Sequence, residues 1–256
     1  MSDPSKPIQC ARHGTSPVTF HCQHLPRSVG AGFFTSNSLD DPRPDAWCAR
    51  CEAVTNAEGG WNADSERFAG ITVSCSGCYD ELRARNEWHR AEAGDASFVC
   101  AGCGERHEGL PYDVGFDAPN IATGDLPRAT LTPDTCILDE HRFVRGVLQI
   151  PIVGGPGPLN YGVWVTLSEK SFAEFIAHGR LTRCYLDGPY FGWLWSAIGQ
   201  WPDTMRLKTN VRPQPPPLRP LIELQPTDHP LAVAQREGIS IARHREIALA
   251  VLHGPQ

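Results

Sequence analysis

Two pairs, Cys48-Ala49-Arg50-Cys51 and Cys75-Ser76-Gly77-Cys78, stand twenty-three residues apart and constrain this chain more than anything else in it. A Trp-Cys-x-x-Cys run such as Trp47–Cys51 is also the local look of a redox dithiol. That chemistry needs a buried strand leading into the first cysteine. The preceding residues, Leu39-Asp40-Asp41-Pro42-Arg43-Pro44-Asp45, carry two prolines and three aspartates, which a central strand does not accept. The second pair supplies the alternative, because a C-x2-C…C-x2-C set at this spacing matches four zinc ligands. After Cys78 come helix formers, Tyr79 to Trp88, with acids in the first turn, so the last two thiolates open a helix and gain from its dipole. Gly59-Gly60 between the pairs suggests an irregular hairpin, and knuckle, hairpin and helix together resemble a treble-clef arrangement.

Upstream lies a second set. Cys10-Ala11-Arg12-His13-Gly14 is a C-x2-H knuckle with the glycine such turns favour, and Cys22-Gln23-His24 adds a C-x-H pair, with His21 as the rival to His24. These four ligands span fifteen residues and can close one site in sequence. The other arrangement is a cross-brace, Cys10 and His13 with Cys48 and Cys51, Cys22 and His24 with Cys75 and Cys78. Either way two zinc ions are expected in residues 1–93. The chain shows no export signal and no run of 18 apolar residues, so it is expected to be cytoplasmic and free of the membrane. In that reducing setting ten cysteines point to metal rather than to disulfides.

From about residue 94 a second domain is expected. Cys100-Ala101-Gly102-Cys103-Gly104 is a further knuckle, His107 is a third ligand, and Cys136 is the expected fourth, with His141 the other candidate, which makes a third zinc site. Cys184 has no Cys or His neighbour and reads as packing. Phe143–Val153 and Tyr161–Leu167 alternate as strands around a Gly/Pro loop, Ser168 caps a helix to His178, and Tyr190–Ile198, Met205–Val211 and Leu221–Gln225 are further strands. Pro213–Pro220 reads as a polyproline connection, and Pro230–Glu237 and Ser240–His253 as closing helices. The fold class is α+β: a small zinc-stabilised module, then an antiparallel sheet with helices at its C-terminal end.

The segments "FVCAGCGERHEGLP", "DTCILDEHRFVRGVLQIPI", "YGVWVTLS", "PYFGWL" and "LIELQPTDHPLAVAQREGIS" resemble a bacterial domain-of-unknown-function family, number 2199, over about residues 97–253. The resemblance implies no activity. It does place Cys100, Cys103, His107 and Cys136 at positions where Cys and His recur in that family. The N-terminal module lies outside it.

For catalysis the best constellation is Glu223, Asp228 and His229, although Asp228 also reads as a helix N-cap with Pro230 first in the helix. The motifs of serine hydrolases, zinc peptidases, nucleotide-binding loops and zinc deaminases are missing. The competing expectation is an interaction or regulatory protein, of the immunity type among others, whose partner is another protein. Trp193, Trp195 and Trp201 are its candidate anchors, unless they are core. Nucleic acid is not expected: the formal charge is −6, residues 1–95 hold nine Lys and Arg against thirteen Asp and Glu, and Arg83, Arg85 and Arg90 are interleaved with Glu81, Glu87 and Glu92.

Overall fold

The computed structural model describes residues 7–36, 38, 41–89, 97–100, 103–107, 109–122, 128–178 and 183–253. The chain divides into two units, Met1–His89 and Arg90–Gln256.

In the first unit, strands β1 (Ile8–Cys10) and β2 (Gly14–Ser16) form a small hairpin whose turn carries His13. Gly14 sits at φ +70°, a left-handed conformation that glycine adopts at no steric cost. β3 (Val18–Cys22), β4 (Phe34–Thr35), β5 (Ala46–Trp47) and β6 (Ile71–Cys75) form a sheet in the order β4-β5-β3-β6. The hairpin expected between the two C-x2-C pairs is replaced by two helices, α1 (Ala49–Ala57) and α2 (Ala63–Ala69). The physical reason lies in local signals that outweigh Gly59-Gly60. Residues 49–58 are rich in Ala and Glu, and Asn62 and Ser65 make a reciprocal capping box that starts α2. Helix α3 (Ser76–Asn86) follows β6 directly. It ends before Arg90 and Glu92, which lie outside the described residues.

The second unit opens with a short hairpin, β7 (Phe98–Val99) and β8 (Arg106–His107). Then come β9 (Asp113–Gly115), β10 (Thr130–Leu131), β11 (Thr135–Leu138), β12 (His141–Ile150), β13 (Ile152–Val153), β14 (Leu159–Leu167), helix α4 (Glu169–His178), β15 (Tyr190–Leu194), β16 (Lys208–Arg212) and β17 (Leu221–Leu224). Helix α5 (Pro230–Glu237), β18 (Ile239–Ser240) and α6 (Ile241–His253) complete it. The expected antiparallel sheet closes on itself. β12 pairs with β14, then β15, β16 and β17 follow in turn, and β17 returns to β12 at Val147↔Leu221, giving a five-stranded barrel. An up-and-down run of five strands brings first and last together pointing the same way, so the closing pair is parallel. The polyproline expectation for 213–220 also changes, because Leu218 N–H donates to Pro215 O and folds the run into a turn.

Alternation along each strand sorts the side chains. Val144, Leu148 and Ile150 of β12, Leu159, Tyr161, Val163, Val165 and Leu167 of β14, and Leu194, Val211 and Ile222 fill the interior, joined by Leu231 of α5 and Ile247 of α6. Outside the barrel, Phe143 and Trp164 are covered by Ala118, Cys136 and Leu138, a second, smaller cluster. Trp164 Nε1–H donates to Phe116 O at 2.8 Å, which satisfies the buried indole.

Candidate metal centres

Both C-x2-C pairs stand at helix starts. Cys48 is the N-cap of α1 with Cys51 in its first turn, and Cys75 is the N-cap of α3 with Cys78 in its first turn. Strands β3 and β6 then decide which ligands meet. Their antiparallel register sets Val18 against Cys75 and Cys22 against Ile71. The chain entering β3 from the Cys10 hairpin is therefore beside the start of α3, and the chain leaving β3 is at the far end of the pair.

The result is a nested arrangement. Cys10 and His13 join Cys75 and Cys78, while Cys22 and His24 join Cys48 and Cys51, with the ligand atoms of each group within 4.8 Å of one another. Neither the sequential grouping nor the interleaved cross-brace read from the sequence is what the strands produce. His21 is set apart, buried with Nδ1 3.1 Å from Cys22 O.

The spacing within each group can be compared with a metal. A tetrahedral zinc with Zn–S of about 2.3 Å and Zn–N of about 2.0 Å has ligand-to-ligand edges of about 3.8 Å for S···S and about 3.5 Å for S···N. In the first group Cys10 Sγ lies 3.9 Å from Cys78 Sγ, and His13 Nδ1 lies 3.7, 3.4 and 3.5 Å from Cys10, Cys75 and Cys78. In the second group Cys48 Sγ and Cys51 Sγ are 3.8 Å apart, and His24 Nδ1 is 3.3 Å from Cys51 Sγ. These separations match the edges of a coordination tetrahedron and are nearly twice the length of a disulfide bond.

Electrostatics point the same way. Three thiols at these separations do not all ionise unaided. Cys22 is pulled down by hydrogen bonds from the Cys48 and Cys51 thiols, while Cys48 is pushed up to about 11 and Cys51 is also raised, Cys22 being the main cause for both. In the first group burial opposes the ionisation of Cys75. The Cys78 backbone N–H and the Cys10 thiol outweigh it and bring Cys75 down to about 6, whereas burial and Cys75 push Cys78 up to about 12. A divalent cation at the centre lets all three thiolates coexist.

The surroundings of the first group are organised for His13. Its Nε2 is 3.2 Å from Glu81 Oε1, which also accepts from Arg12 at 2.6 Å. A carboxylate on the outer imidazole nitrogen fixes the ring so that Nδ1 faces the three sulfurs. Gly77 admits that ring, since a Cβ at Gly77 would stand 2.6 Å from His13 Cγ.

A third group lies in the second unit: Cys100, Cys103, His107 and His253. Cys100 Sγ is 3.1 Å from His253 Nε2, and Cys103 Sγ is 3.3 Å from His107 Nε2. The fourth member expected here was Cys136, and that expectation is corrected. Cys136 is fully buried in the apolar layer with Phe143 and Trp164, and desolvation there raises its thiol pKa. His253, which sequence reasoning missed, is the last residue of α6, with no local motif around it. The one available signal was an incomplete Cys2His set in want of a ligand.

The catalytic candidates do not gather. Glu223 pairs with Arg212 across β16 and β17. It is His229, not Asp228, that caps α5: Nδ1 accepts from Leu231 N–H at 3.2 Å, which leaves Nε2–H to donate to Asp203 O at 3.1 Å. Among the described residues no metal-type cluster includes Glu223, Asp228 or His229. Cys184 is buried, with Sγ 3.0 Å from Gln214 O, and reaches none of the three groups.

These features define an α+β protein with Cys/His groups suited to metal. Residues 99–239 match the family described as "Uncharacterized protein conserved in bacteria (DUF2199)", and the chain belongs to that family. No curated protein and no solved structure gives a match. The matched block ends before His253, so a reading confined to it does not contain the residue that completes the third group.

Proposed function

We propose that this is a zinc-stabilised, non-catalytic protein of the bacterial cytoplasm that works by binding another protein. The observation that carries the reading is that each Cys/His group is completed by four protein side chains. A closed tetrahedral set leaves no position for water or substrate, which is the mark of structural rather than catalytic zinc. Two zinc ions belong to the first unit and one to the second. Among the described residues no helix is long and apolar enough to cross a membrane. A surface for a protein partner is available on β6, an edge strand, where Ile71 and Val73 are about half exposed. A regulatory role, inhibition of a partner in the immunity manner included, is the finer form of this reading.

Charge argues against nucleic acid as the partner. Each Cys3His zinc site contributes −1 and the Cys2His2 site 0, which takes the formal −6 to −8. The arginines near α3 are already engaged, Arg43 with Asp80, Arg83 with Glu87, and Arg85 with the carbonyls of Leu25 and Pro26.

The test is capture from the native cell with the tagged, zinc-loaded protein. One stoichiometric protein partner is expected, retained by the wild type and lost with Ile71→Asp and Val73→Asp. In parallel, DNA and RNA are expected not to bind below roughly 10 μM at about 100 mM salt. Sub-micromolar nucleic-acid binding with a steep salt slope would replace this reading.

A further inference from the structure

Strand β15 turns Phe191 and Trp193 outward, and the two residues are 45% and 39% exposed. Large aromatics on an outer barrel face are costly to leave in water unless something covers them. Beside them stand two cations. Lys208, in register with Trp193, holds Nζ 5.8 Å from that ring, and Arg206 holds its guanidinium 5.5 Å from the Trp195 ring. Neither has an ion-pair partner among the described residues, whereas Arg128, Arg212, Arg219 and Arg243 of the same unit are each paired with a carboxylate. Arg206 also holds φ +61°, in the left-handed region that a long side chain avoids, with its N–H fixed on Leu194 O at 2.7 Å.

Phe191, Trp193, Trp195 and Arg206 line a cavity of about 590 Å³, within the usual range for a small-molecule site, with Lys208 beside Trp193 outside the lining. Ser168, at the start of α4, also lines it and accepts from Ser171 N–H at 3.1 Å, so the positive end of a ten-residue helix lies at the cavity. His141 adds a ring 6.0 Å from Trp195. The acid at the rim, Glu140, has a side chain 83% exposed.

Aromatic walls select a flat ring, and cations with no carboxylate partner among the described residues, together with a helix start, select an anion. We propose that this groove binds a planar heteroaromatic phosphate of the size of a nucleoside monophosphate. The ring stacks on Trp193 and Phe191, and the phosphate lies between Arg206 and the start of α4. A long nucleic-acid strand fits less well, because the protein is acidic and the cations form one patch rather than a track. The groove shares no residue with the three Cys/His groups.

The test titrates AMP, GMP, CMP and UMP separately into the zinc-loaded protein, with adenosine and inorganic phosphate as controls, followed by tryptophan fluorescence and calorimetry. At least one nucleotide is expected to bind with Kd below about 1 mM, with adenosine and phosphate each at least about tenfold weaker. Trp193→Ala and Arg206→Asn should each weaken binding by about tenfold or more with thermal unfolding and zinc content unchanged. Asn is chosen because it tolerates the left-handed backbone at position 206. Phe191→Ala, on an exposed strand position that lines the groove, gives an independent reading if either variant fails to fold. The proposal falls if none of the four nucleotides binds below about 1 mM, or if the folded variants bind as the wild type does. It also falls if an oligothymidine binds more than about tenfold tighter than every mononucleotide, since the site would then belong to a nucleic-acid surface.

Discussion

His253 and Cys136 exchange the roles that the sequence suggests for them, and the exchange is testable residue by residue. His253 brings Nε2 to 3.1 Å from Cys100 Sγ at the end of α6, whereas Cys136 is enclosed by Phe143, Leu138 and Trp164. His253→Ala is therefore expected to lower zinc from about three to about two per chain. Cys136→Ala should keep all the zinc and cost about 1 kcal/mol through lost packing. Elemental analysis with thermal unfolding on both variants checks the pair; zinc lost from Cys136→Ala and kept by His253→Ala would reverse the assignment. Glu81 belongs to the same scale. Its contact with His13 Nε2 at 3.2 Å orients one ligand of the first group. Glu81→Ala should weaken that site alone by about 10–100-fold, read as zinc surrendered to a competing chromogenic chelator. Equal loss from all three sites would mean that Glu81 acts on the fold instead.

At the scale of elements, the barrel depends on close approach between neighbouring strands. A Cβ at Gly192 of β15 would stand 2.3 Å from Thr166 O of β14, and backbone there has no rotamer with which to yield. Gly192→Ala is expected to destabilise the second unit by about 3 kcal/mol. Gly157→Ala, whose Cβ meets nothing within 4 Å, should stay within about 0.5 kcal/mol of wild type by denaturant unfolding. Comparable losses from both would show that the strand crossing is not what Gly192 serves. Elements of this kind were legible where their signals are local. Ser168 before α4 and Pro230 at the first position of α5 marked those helices, and alternation marked β12 and β14. Closure was not legible, because Val147 and Leu221 are far apart in sequence and alternation is the same in an open or a closed sheet. Nested ligand pairing was hidden for a related reason. It follows from the antiparallel register of β3 on β6, and ligand spacing along the chain does not report a register.

At the scale of the whole molecule, the two units differ in what holds them together. The buried cluster of the first unit is small, and three of its eight members are the ligand residues Cys22, Cys48 and Cys51, beside Leu25, Ala46, Ala69, Tyr79 and Leu82. Among the described residues, the main cluster of the second unit, barrel strands with α5 and α6, has twenty buried apolar members, none of them a cysteine. Structural zinc contributes roughly 10–16 kcal/mol of apparent binding free energy in small modules, more than a core of this size supplies by itself. Metal removal should therefore unfold the first unit and leave the barrel standing. The third group ties the β7–β8 hairpin to the end of α6, so its loss frees those segments without opening the barrel interior. Exhaustive chelation followed by limited proteolysis and mass spectrometry checks this. Cleavage is expected throughout residues 7–89, with a protected fragment that keeps β9 to α5, and protection of the first unit should return when zinc is restored. Trp164 provides a second reading. It is fully buried against the barrel, with its indole held on Phe116 O, so its near-ultraviolet dichroism should survive chelation. Simultaneous collapse of both units would mean that the barrel depends on metal, and survival of both would mean that the cysteine clusters fold without it.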